Sequence, residues 1–319
     1  MKRKQEYTSN SIVPVGQTAE GRVVGCLGGR YEVLTAAGER VFCGARGSFR
    51  RDEGRVLVGD LVTVTPQADG SAVISGVGKR KNSLIRPLLA NLDLLVIVVA
   101  KKEPTPLPDL VDKLLAIAEH ERMQAAVVLS KDDLEATEDA AAFPVHAYRL
   151  AGYPVFSLSS RTGAGVDVFG AWLKERLAEG MTVSFAGASG VGKSTLLNAL
   201  FPALERETGK VSDKNSRGRH TTRSVSLFPL GGGFVADTPG FSLLDFLRFD
   251  FFTLDDLPHV FPEIDALVGS CRYADCSHTK EEECGVKEAV RAGRMAASRY
   301  ASYLALYEVL AQKEKDAYK

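Results

Sequence analysis

Residues 187–194 read Gly-Ala-Ser-Gly-Val-Gly-Lys-Ser, a full match to the phosphate-binding consensus G-x-x-x-x-G-K-[ST]. The stretch follows the apolar run Thr182–Ala186 and opens a helical pattern. In this context backbone N–H groups wrap phosphates, the lysine reaches the β- and γ-phosphates, and the last hydroxyl binds Mg²⁺. A glycine-rich turn without a ligand is the alternative. The predicted phosphate-binding residues are Gly187, Ala188, Ser189, Gly190, Val191, Gly192, Lys193, Ser194 and Thr195.

A candidate base reader precedes this loop in the chain. Ser130-Lys131-Asp132-Asp133 directly follows the apolar run Ala125–Leu129. A carboxylate at a strand end can accept hydrogen bonds from guanine N1–H and N2–H₂, a donor pair that adenine lacks, so Asp133 would select GTP over ATP. Lys131 would lie along the base, and Ser130 stands where GTPases usually carry Asn. A helix start is the alternative interpretation of the tetrapeptide.

A second base-side loop is predicted at Ser159-Ser160-Arg161, after the apolar run Pro154–Leu158, with Ser159 and Ser160 as the base-side residues. In ordinary GTPases the phosphate loop precedes both base-side segments. The inverted order predicts a GTPase core whose old ends are joined and whose chain is cut elsewhere, which leaves the sheet intact. The chain would then leave the core after Asp237–Gly240, which suggests that nucleotide state is coupled to the region that follows.

The γ-phosphate side is predicted from two segments beyond the phosphate loop. Asp237 ends the apolar stretch Gly233–Ala236, where it suits Mg²⁺ coordination through water, and the Gly240 N–H can meet the γ-phosphate. The charged segment Glu205–Arg223 resembles a switch loop, with Thr221 or Thr222 as the residue that senses Mg²⁺; a solvated loop is the alternative. We expect Ser194, Thr222 and Asp237 to hold Mg²⁺.

Catalysis needs a group that orients the attacking water. Many GTPases use a Gln directly after the Asp-x-x-Gly segment, but this chain has Phe241 there, which cannot polarise water. His220, in the switch segment, is the local candidate for positioning the water. The predicted catalytic residues are therefore His220, Lys193 and Thr222.

A metal site is predicted near the C-terminus. Cys271, Cys276, His278 and Cys284 follow the pattern C-x4-C-x-H-x5-C, and three thiolates with one imidazole form a closed tetrahedral set for Zn²⁺. Three unrelated buried thiols are the alternative. Because the set leaves no ligand position for a substrate, we expect one structural Zn²⁺ per chain.

The remaining patterns divide the chain. Five short runs separated by Gly or Asp turns predict a closed barrel of the OB type, with another small barrel or half-sandwich as the alternative. The predicted strands are Gly21–Cys26, Arg30–Thr35, Arg40–Cys43, Leu61–Thr65 and Ser71–Val77. Apolar strands alternating with helical patterns at Asp109–Arg122 and Val166–Glu179 predict a parallel sheet covered on both faces. Arg291–Lys313 predicts a C-terminal helix. We expect a flexible tail at 1–17, an OB-fold at 18–80, a circularly permuted α/β P-loop GTPase domain at 81–248, and a mostly helical zinc-binding domain at 249–319.

Composition limits the partners. At 319 residues the chain is long enough for two or three domains, and its 40 Lys plus Arg balance 40 Asp plus Glu. Any RNA contact must therefore come from local patches. The longest apolar run is too short to cross a bilayer, and the basic N-terminus has no apolar stretch behind it, so we expect a cytoplasmic protein without a membrane partner. The basic patches are Arg46, Arg50, Arg51 and Arg55; Lys79, Arg80 and Lys81; and Lys210, Lys214, Arg217, Arg219 and Arg223.

The motif order, the Cys/His spacing and the barrel together resemble the circularly permuted GTPases of small-ribosomal-subunit biogenesis, the RsgA/YjeQ family. Residues 82–87, 187–195, 218–222, 237–241 and 271–284 carry the resemblance. It implies GTP hydrolysis stimulated by the 30S subunit in its late maturation, contact with 16S rRNA, Mg²⁺ with GTP, and His220 as the water-positioning residue. We expect a monomer. The alternatives are a zinc-stabilised RNA-binding module that only senses GTP or GDP, and a P-loop ATPase, against which Asp133 argues.

Overall fold

The computed structural model describes residues 17–50, 55–135, 143–202, 225–237 and 251–317. The strands in these ranges are β1 Ala19–Leu27, β2 Arg30–Thr35, β3 Arg40–Ala45, β4 Leu61–Pro66, β5 Ala72–Val77, β6 Ser83–Leu84, β7 Leu89–Ala90, β8 Leu94–Ala100, β9 Gln124–Ser130, β10 Val155–Ser157, β11 Thr182–Ala186, β12 Ser226–Leu230 and β13 Gly233–Asp237. The α-helices are α1 Pro108–His120, α2 Val145–Leu150, α3 Val166–Ala178, α4 Lys193–Leu200, α5 Pro262–Asp265, α6 Gly285–Arg291 and α7 Ala297–Ala317.

The first five strands close into a barrel. β1 pairs with both β2 and β4, β3 runs parallel to β5, and β4 pairs with β5, so the strand order closes on itself. Inward side chains at every second position, such as Val33, Val64 and Ile74, are fully buried. The predicted barrel is confirmed, and each predicted strand lies within two residues of the observed one.

A mixed sheet forms the centre of the molecule. Its order is β10-β9-β8-β11-β13-β12, in which β12 alone runs antiparallel to its neighbour. Every residue of β8 is buried, as expected of a strand covered on both faces. The predicted parallel sheet is confirmed. At its edge β12 also pairs with barrel strand β1 through Ser226 and Gly25, so barrel and central sheet are continuous.

The C-terminal region is helical, but the predicted helix Arg291–Lys313 is wrong at its start. Gly293 adopts a φ of 70°, a left-handed conformation that ends α6, and α7 begins only at Ala297. The buried face of α7 carries Arg299, Tyr303, Leu306 and Leu310. Within the described residues, no helix is both long and apolar enough to cross a membrane.

Candidate nucleotide-binding and metal-binding sites

Sheet topology brings the predicted nucleotide-site segments to one edge. Strands β8, β9, β10, β11 and β13 are parallel, so their carboxyl ends meet at the same side of the sheet. The phosphate loop follows β11, the candidate base reader follows β9, and the second base-side loop follows β10. Open α/β sheets bind ligands at this edge.

The phosphate loop has a backbone that only glycine allows at two points. Gly187 has a φ of 135°, and a Cβ there would lie 2.1 Å from the carbonyl oxygen of Val98. Gly192 has a φ of 95° and immediately precedes α4. The loop therefore passes close over β8 and turns into a helix N-terminus, the arrangement that presents backbone N–H groups to phosphate.

Lys193 lies at the first position of α4 and folds over this loop. Its Nζ donates hydrogen bonds to the carbonyl oxygens of Gly187, at 2.8 Å, and Ala188, at 2.9 Å. Burial lowers the pKa of the Lys193 ammonium. Ser194 and Thr195 follow in the first turn of α4 and are exposed. The cation is thus held over the loop, within reach of phosphate oxygens that bind there.

Ser130 connects the base-side loop to the phosphate loop. Its hydroxyl, which is buried, lies 2.6 Å from the carbonyl oxygen of Val191 and 3.1 Å from that of Val99. A hydroxyl has one proton to donate, and the shorter contact is with the phosphate loop. The side chain predicted to face the base therefore contacts the loop that would hold the phosphates.

Residues 101–107, which follow β8, also contact the base-side loop. Lys131 has a φ of 57°, and its Nζ donates to the carbonyl oxygen of Glu103. Lys101 Nζ in turn donates to the Asp132 carbonyl, at 3.1 Å, and to its carboxylate, at 3.0 Å. The sequence interpretation missed this segment. Two lysines directly after a buried apolar strand at the ligand-binding edge were the signal that could have found it.

Asp133, the predicted base reader, lies against the second base-side loop. Its Oδ1 accepts a hydrogen bond from the Ser159 hydroxyl, and its Oδ2 accepts from Arg161 Nε, at 2.8 Å, and Nη2, at 2.5 Å. The hydrogen bonds from Ser159 and then from Arg161 lower the pKa of the Asp133 carboxyl. Ser160 is half-buried beside them. Ser159 thus holds the predicted reader in place. Arg161 belongs to the predicted second base-side loop, but its contact with Asp133 was not predicted.

Asp237 ends β13, one residue after Ala236, which pairs with Ser184 of β11. The residue is exposed overall at the same edge as the phosphate loop, and partial burial of its carboxyl raises the pKa of that group. The other residues predicted for the γ-phosphate side, His220, Thr221, Thr222 and Gly240, lie outside the described residues.

The four predicted metal ligands converge at one point. One ligand atom from each of Cys271, Cys276, His278 and Cys284 lies within 4.8 Å of all the others. The Sγ atoms of Cys271 and Cys284 are 3.8 Å apart, and His278 Nδ1 lies 3.4 and 3.5 Å from them. A tetrahedral metal with bonds of about 2.3 Å to sulfur and about 2.0 Å to nitrogen has edges of about 3.8 and 3.5 Å. The side chains therefore fit a four-coordinate metal.

Surrounding groups orient these ligands. The Gly285 N–H donates to Cys271 Sγ at 3.3 Å, as expected around a thiolate ligand. Glu281 accepts from the backbone N–H groups of Ser277, Thr279 and Lys280 and so shapes the turn that carries His278. Burial raises the pKa of Glu281, but the hydrogen bonds outweigh it and bring the pKa to about 2.

Comparison with known proteins identifies the family of this chain. The family model described as RsgA GTPase matches residues 77–247, and the RsgA N-terminal domain matches residues 20–74. The chain belongs to the RsgA GTPase family. The protein named small ribosomal subunit biogenesis GTPase RsgA in Moorella thermoacetica is 43% identical over 296 residues, which cover 92% of this chain and 98% of that protein. The protein of the same name in Geobacillus kaustophilus is 39% identical over 300 residues, which cover 93% of this chain and 99% of that protein.

Solved structures of similar proteins agree with the fold. YjeQ from Thermotoga maritima superposes with a TM-score of 0.75 at 35% identity, covering 92% of this chain and 99% of that one. YloQ, described as a circularly permuted GTPase, superposes with a TM-score of 0.73 at 32% identity, covering 93% of this chain and 96% of that one. As an RsgA GTPase this protein is a GTP hydrolase. Membership also accounts for the inverted motif order, since β8–β10 precede β11–β13 around a single sheet.

Proposed function

We propose that this protein binds the small (30S) ribosomal subunit late in its maturation and hydrolyses GTP to GDP and phosphate, with stimulation by the subunit. The observation that carries the GTPase part of the proposal is the position of the phosphate loop after β11 and of Ser130–Asp133 at the end of β9, at one edge of the sheet. Relatives that match nearly the whole chain carry the name of small-subunit biogenesis GTPases.

The proposed roles at the nucleotide follow from chemistry and position. Residues 187–195 wrap the phosphates, with Lys193 neutralising the β- and γ-phosphates. Asp133 reads guanine, supported by Ser130, Lys131, Ser159 and Ser160. The hydroxyl of Ser194 and the carboxylate of Asp237 are hard oxygen ligands of the kind Mg²⁺ prefers, and we assign Mg²⁺ to them together with Thr222. His220 positions the water, and the Gly240 N–H meets the γ-phosphate.

We assign Zn²⁺ to the Cys₃His cluster. Thiolate and imidazole ligands at tetrahedral spacing suit zinc, and four protein ligands leave no open position for chemistry. The metal's proposed role is structural: it holds the segment between α5 and α6 in place. This accords with the cluster's distance in sequence from every nucleotide-site residue.

We propose 16S rRNA as the contact within the subunit, with the protein acting as a cytoplasmic monomer. Arg46 and Arg55 of the barrel domain (18–80) are exposed and available for phosphates. Arg80 is committed elsewhere, because its guanidinium donates to both carboxylate oxygens of the buried Asp60. Lys81 likewise pairs with Asp93. The central domain is assigned to 81–248 and the zinc domain to 249–319.

Turnover with and without purified 30S particles tests the proposal. The GTPase rate should rise on adding 30S, and GTP should bind far more tightly than ATP. Ser194→Ala should abolish the Mg²⁺-dependent rate while leaving the fold unchanged. No rise with 30S would favour a module that only senses the nucleotide, and equal affinity for ATP and GTP would remove the role given to Asp133.

A further inference from the structure

The carboxylate of Asp133 is covered from the solvent side by a cation. The Asp133 side chain is 10% exposed, whereas the Arg161 side chain that contacts it is 73% exposed. Both guanidinium contacts, from Nε and Nη2, are made with the same oxygen, Oδ2. Ser159, which is buried, donates to the other oxygen, Oδ1. Arg161 is therefore the solvent-facing partner of Asp133 and Ser159 the buried one.

The acceptor sites on this carboxylate are few. Each carboxylate oxygen offers about two lone-pair positions. Arg161 occupies both positions on Oδ2, and Ser159 occupies one on Oδ1. Guanine presents two parallel donors, N1–H and N2–H₂, which need one position on each oxygen. A guanine base at Asp133 and the observed Arg161 contact thus require the same lone pairs.

We propose that Arg161 competes with guanine for Asp133 and so sets the affinity for GTP and GDP. The proposal rests on the proposed GTP binding at this site. To admit the base, the guanidinium leaves Oδ2 and remains in solvent, while the Ser159 hydroxyl keeps Asp133 oriented. Because Arg161 is largely exposed, its departure breaks the ion pair and disturbs little packing.

Equilibrium binding of GDP and GTP to the full chain tests this. Arg161→Ala should bind both nucleotides about two- to five-fold more tightly than wild type, as expected from removing an exposed ion pair. The difference in affinity between the two proteins should shrink in about 1 M salt, where the Debye screening length falls to about 3 Å. Arg161→Lys keeps the charge but lacks the planar pair of donors, so its nucleotide affinity should lie between those of wild type and Arg161→Ala. Arg149→Ala, an exposed arginine of α2, is the matched control and should not change affinity.

A double-mutant cycle tests whether the effect acts through Asp133. Asp133→Asn should bind xanthine nucleotides, because the amide accepts from N1–H and donates to the oxygen at C2. Adding Arg161→Ala to that variant should leave its XDP affinity unchanged, since no carboxylate remains to compete for. Weaker or unchanged GDP binding by Arg161→Ala would overturn the proposal. Wild type that binds ADP as well as GDP would instead overturn the proposed function, so the two failures are distinguishable.

Discussion

The second base-side loop and the junction of α7 with α1 each hold an arginine against carboxylates, but the first arginine is exposed to solvent and the second is buried. Arg161 is 73% exposed where it meets Asp133. Arg299 of α7 is 1% exposed and donates at 2.7 Å to Asp112 of α1, which is 3% exposed, and at 2.7 Å to Glu263 of α5, which is 8% exposed. One pair can exchange its partner for water or ligand, whereas the other cannot.

Burial decides what each arrangement is suited for. Around Arg299, the Phe261 ring lies 4.6 Å from the guanidinium carbon, and Ser302 donates to the second Asp112 oxygen, so every charge has partners. Breaking such a network leaves unpaired buried charge. The C-terminal region is therefore fastened to α1, and the hypothesis that nucleotide state changes its position, which stays a prediction, requires this network to break or to move with α1.

Loss of a metal ligand should have the largest effect, because the C-terminal region is shaped around the cluster. Cys284→Ala should lose the bound metal and unfold this region, since structural zinc contributes about 10–16 kcal/mol of apparent binding free energy to folding in small domains. Metal content by mass spectrometry and thermal unfolding would measure both. Cys26→Ala, a half-buried barrel cysteine, should retain one metal per chain; stoichiometric metal in Cys284→Ala would show that the cluster is not the site.

Arg299→Met tests the buried side of the comparison. It should lower the free energy of unfolding by about 3–5 kcal/mol at neutral pH, because the buried carboxylates of Asp112 and Glu263 would lose the cation that pairs with them. Burial, only partly offset by Arg299, already raises the pKa of Asp112. A raised folded-state pKa means that the folded state binds the proton more tightly, so the loss in the variant should shrink as the pH falls and the carboxylates protonate.

Denaturant unfolding at two pH values checks this, with Arg291→Met as the control. Arg291 pairs with Glu288 on α6, where both side chains are 62% exposed. An exposed pair of this kind contributes about 0–1 kcal/mol. Equal losses from the two variants would mean that burial does not separate the two classes of ion pair.

Lys193→Ala tests a charged group whose present contacts a ligand can replace. The ammonium contacts two loop carbonyls, and phosphate oxygens would replace them. Hydrogen bonds to charged groups contribute about 1.5–3 kcal/mol, so GTP affinity should fall by about 10- to 150-fold while the unfolding temperature changes little. Fluorescence titration measures the first and calorimetry the second. Lys174→Ala, an exposed lysine of α3, should change neither; a large drop in stability would mean that Lys193 serves the fold.

Local patterns predicted the fold well. Alternating apolar residues between glycine turns located each barrel strand, and the fully apolar run Leu94–Ala100 matched β8 residue for residue. Strand β12 was not predicted, because Pro229 interrupts its apolar pattern. The break between α6 and α7 was not predicted, because Gly293 falls inside a helical apolar pattern that continues across it.

The site was predicted in its motifs and missed in its long-range contacts. Sequence spacing grouped the four Cys/His residues that the structure brings together and predicted Asp133 as the base reader, because each motif is local. The contact of Arg161 with Asp133 spans 28 positions, and that of Arg299 with Asp112 spans 187. No local pattern distinguishes such arginines from solvated ones. The strand order, which places the two base-side loops at one edge, brings Arg161 to Asp133, and the packing of α7 against α1 brings Arg299 to Asp112.

Replacing Ser130 should have the smallest effect of these changes, because it removes a single buried hydroxyl from a site whose other polar contacts a ligand can replace. Ser130→Ala removes the donor to Val191 and leaves a buried carbonyl of the phosphate loop with one partner fewer. We expect a loss of about 1 kcal/mol in unfolding free energy and a fall of a few-fold in GTP affinity. Ser130→Asn, the residue usual in GTPases, offers two amide donors and should restore the affinity.

Ser75 of the barrel is the matched control: its half-buried hydroxyl also donates to a backbone carbonyl, that of Thr63, and Ser75→Ala should leave GTP affinity unchanged. If Ser130 reads the base directly, Ser130→Ala should weaken GTP and leave inorganic triphosphate unaffected. If it supports the phosphate loop, both ligands should weaken together, because the loop that loses its support is the part that both share. The geometry predicts the second result: the hydroxyl is 2.6 Å from a phosphate-loop carbonyl.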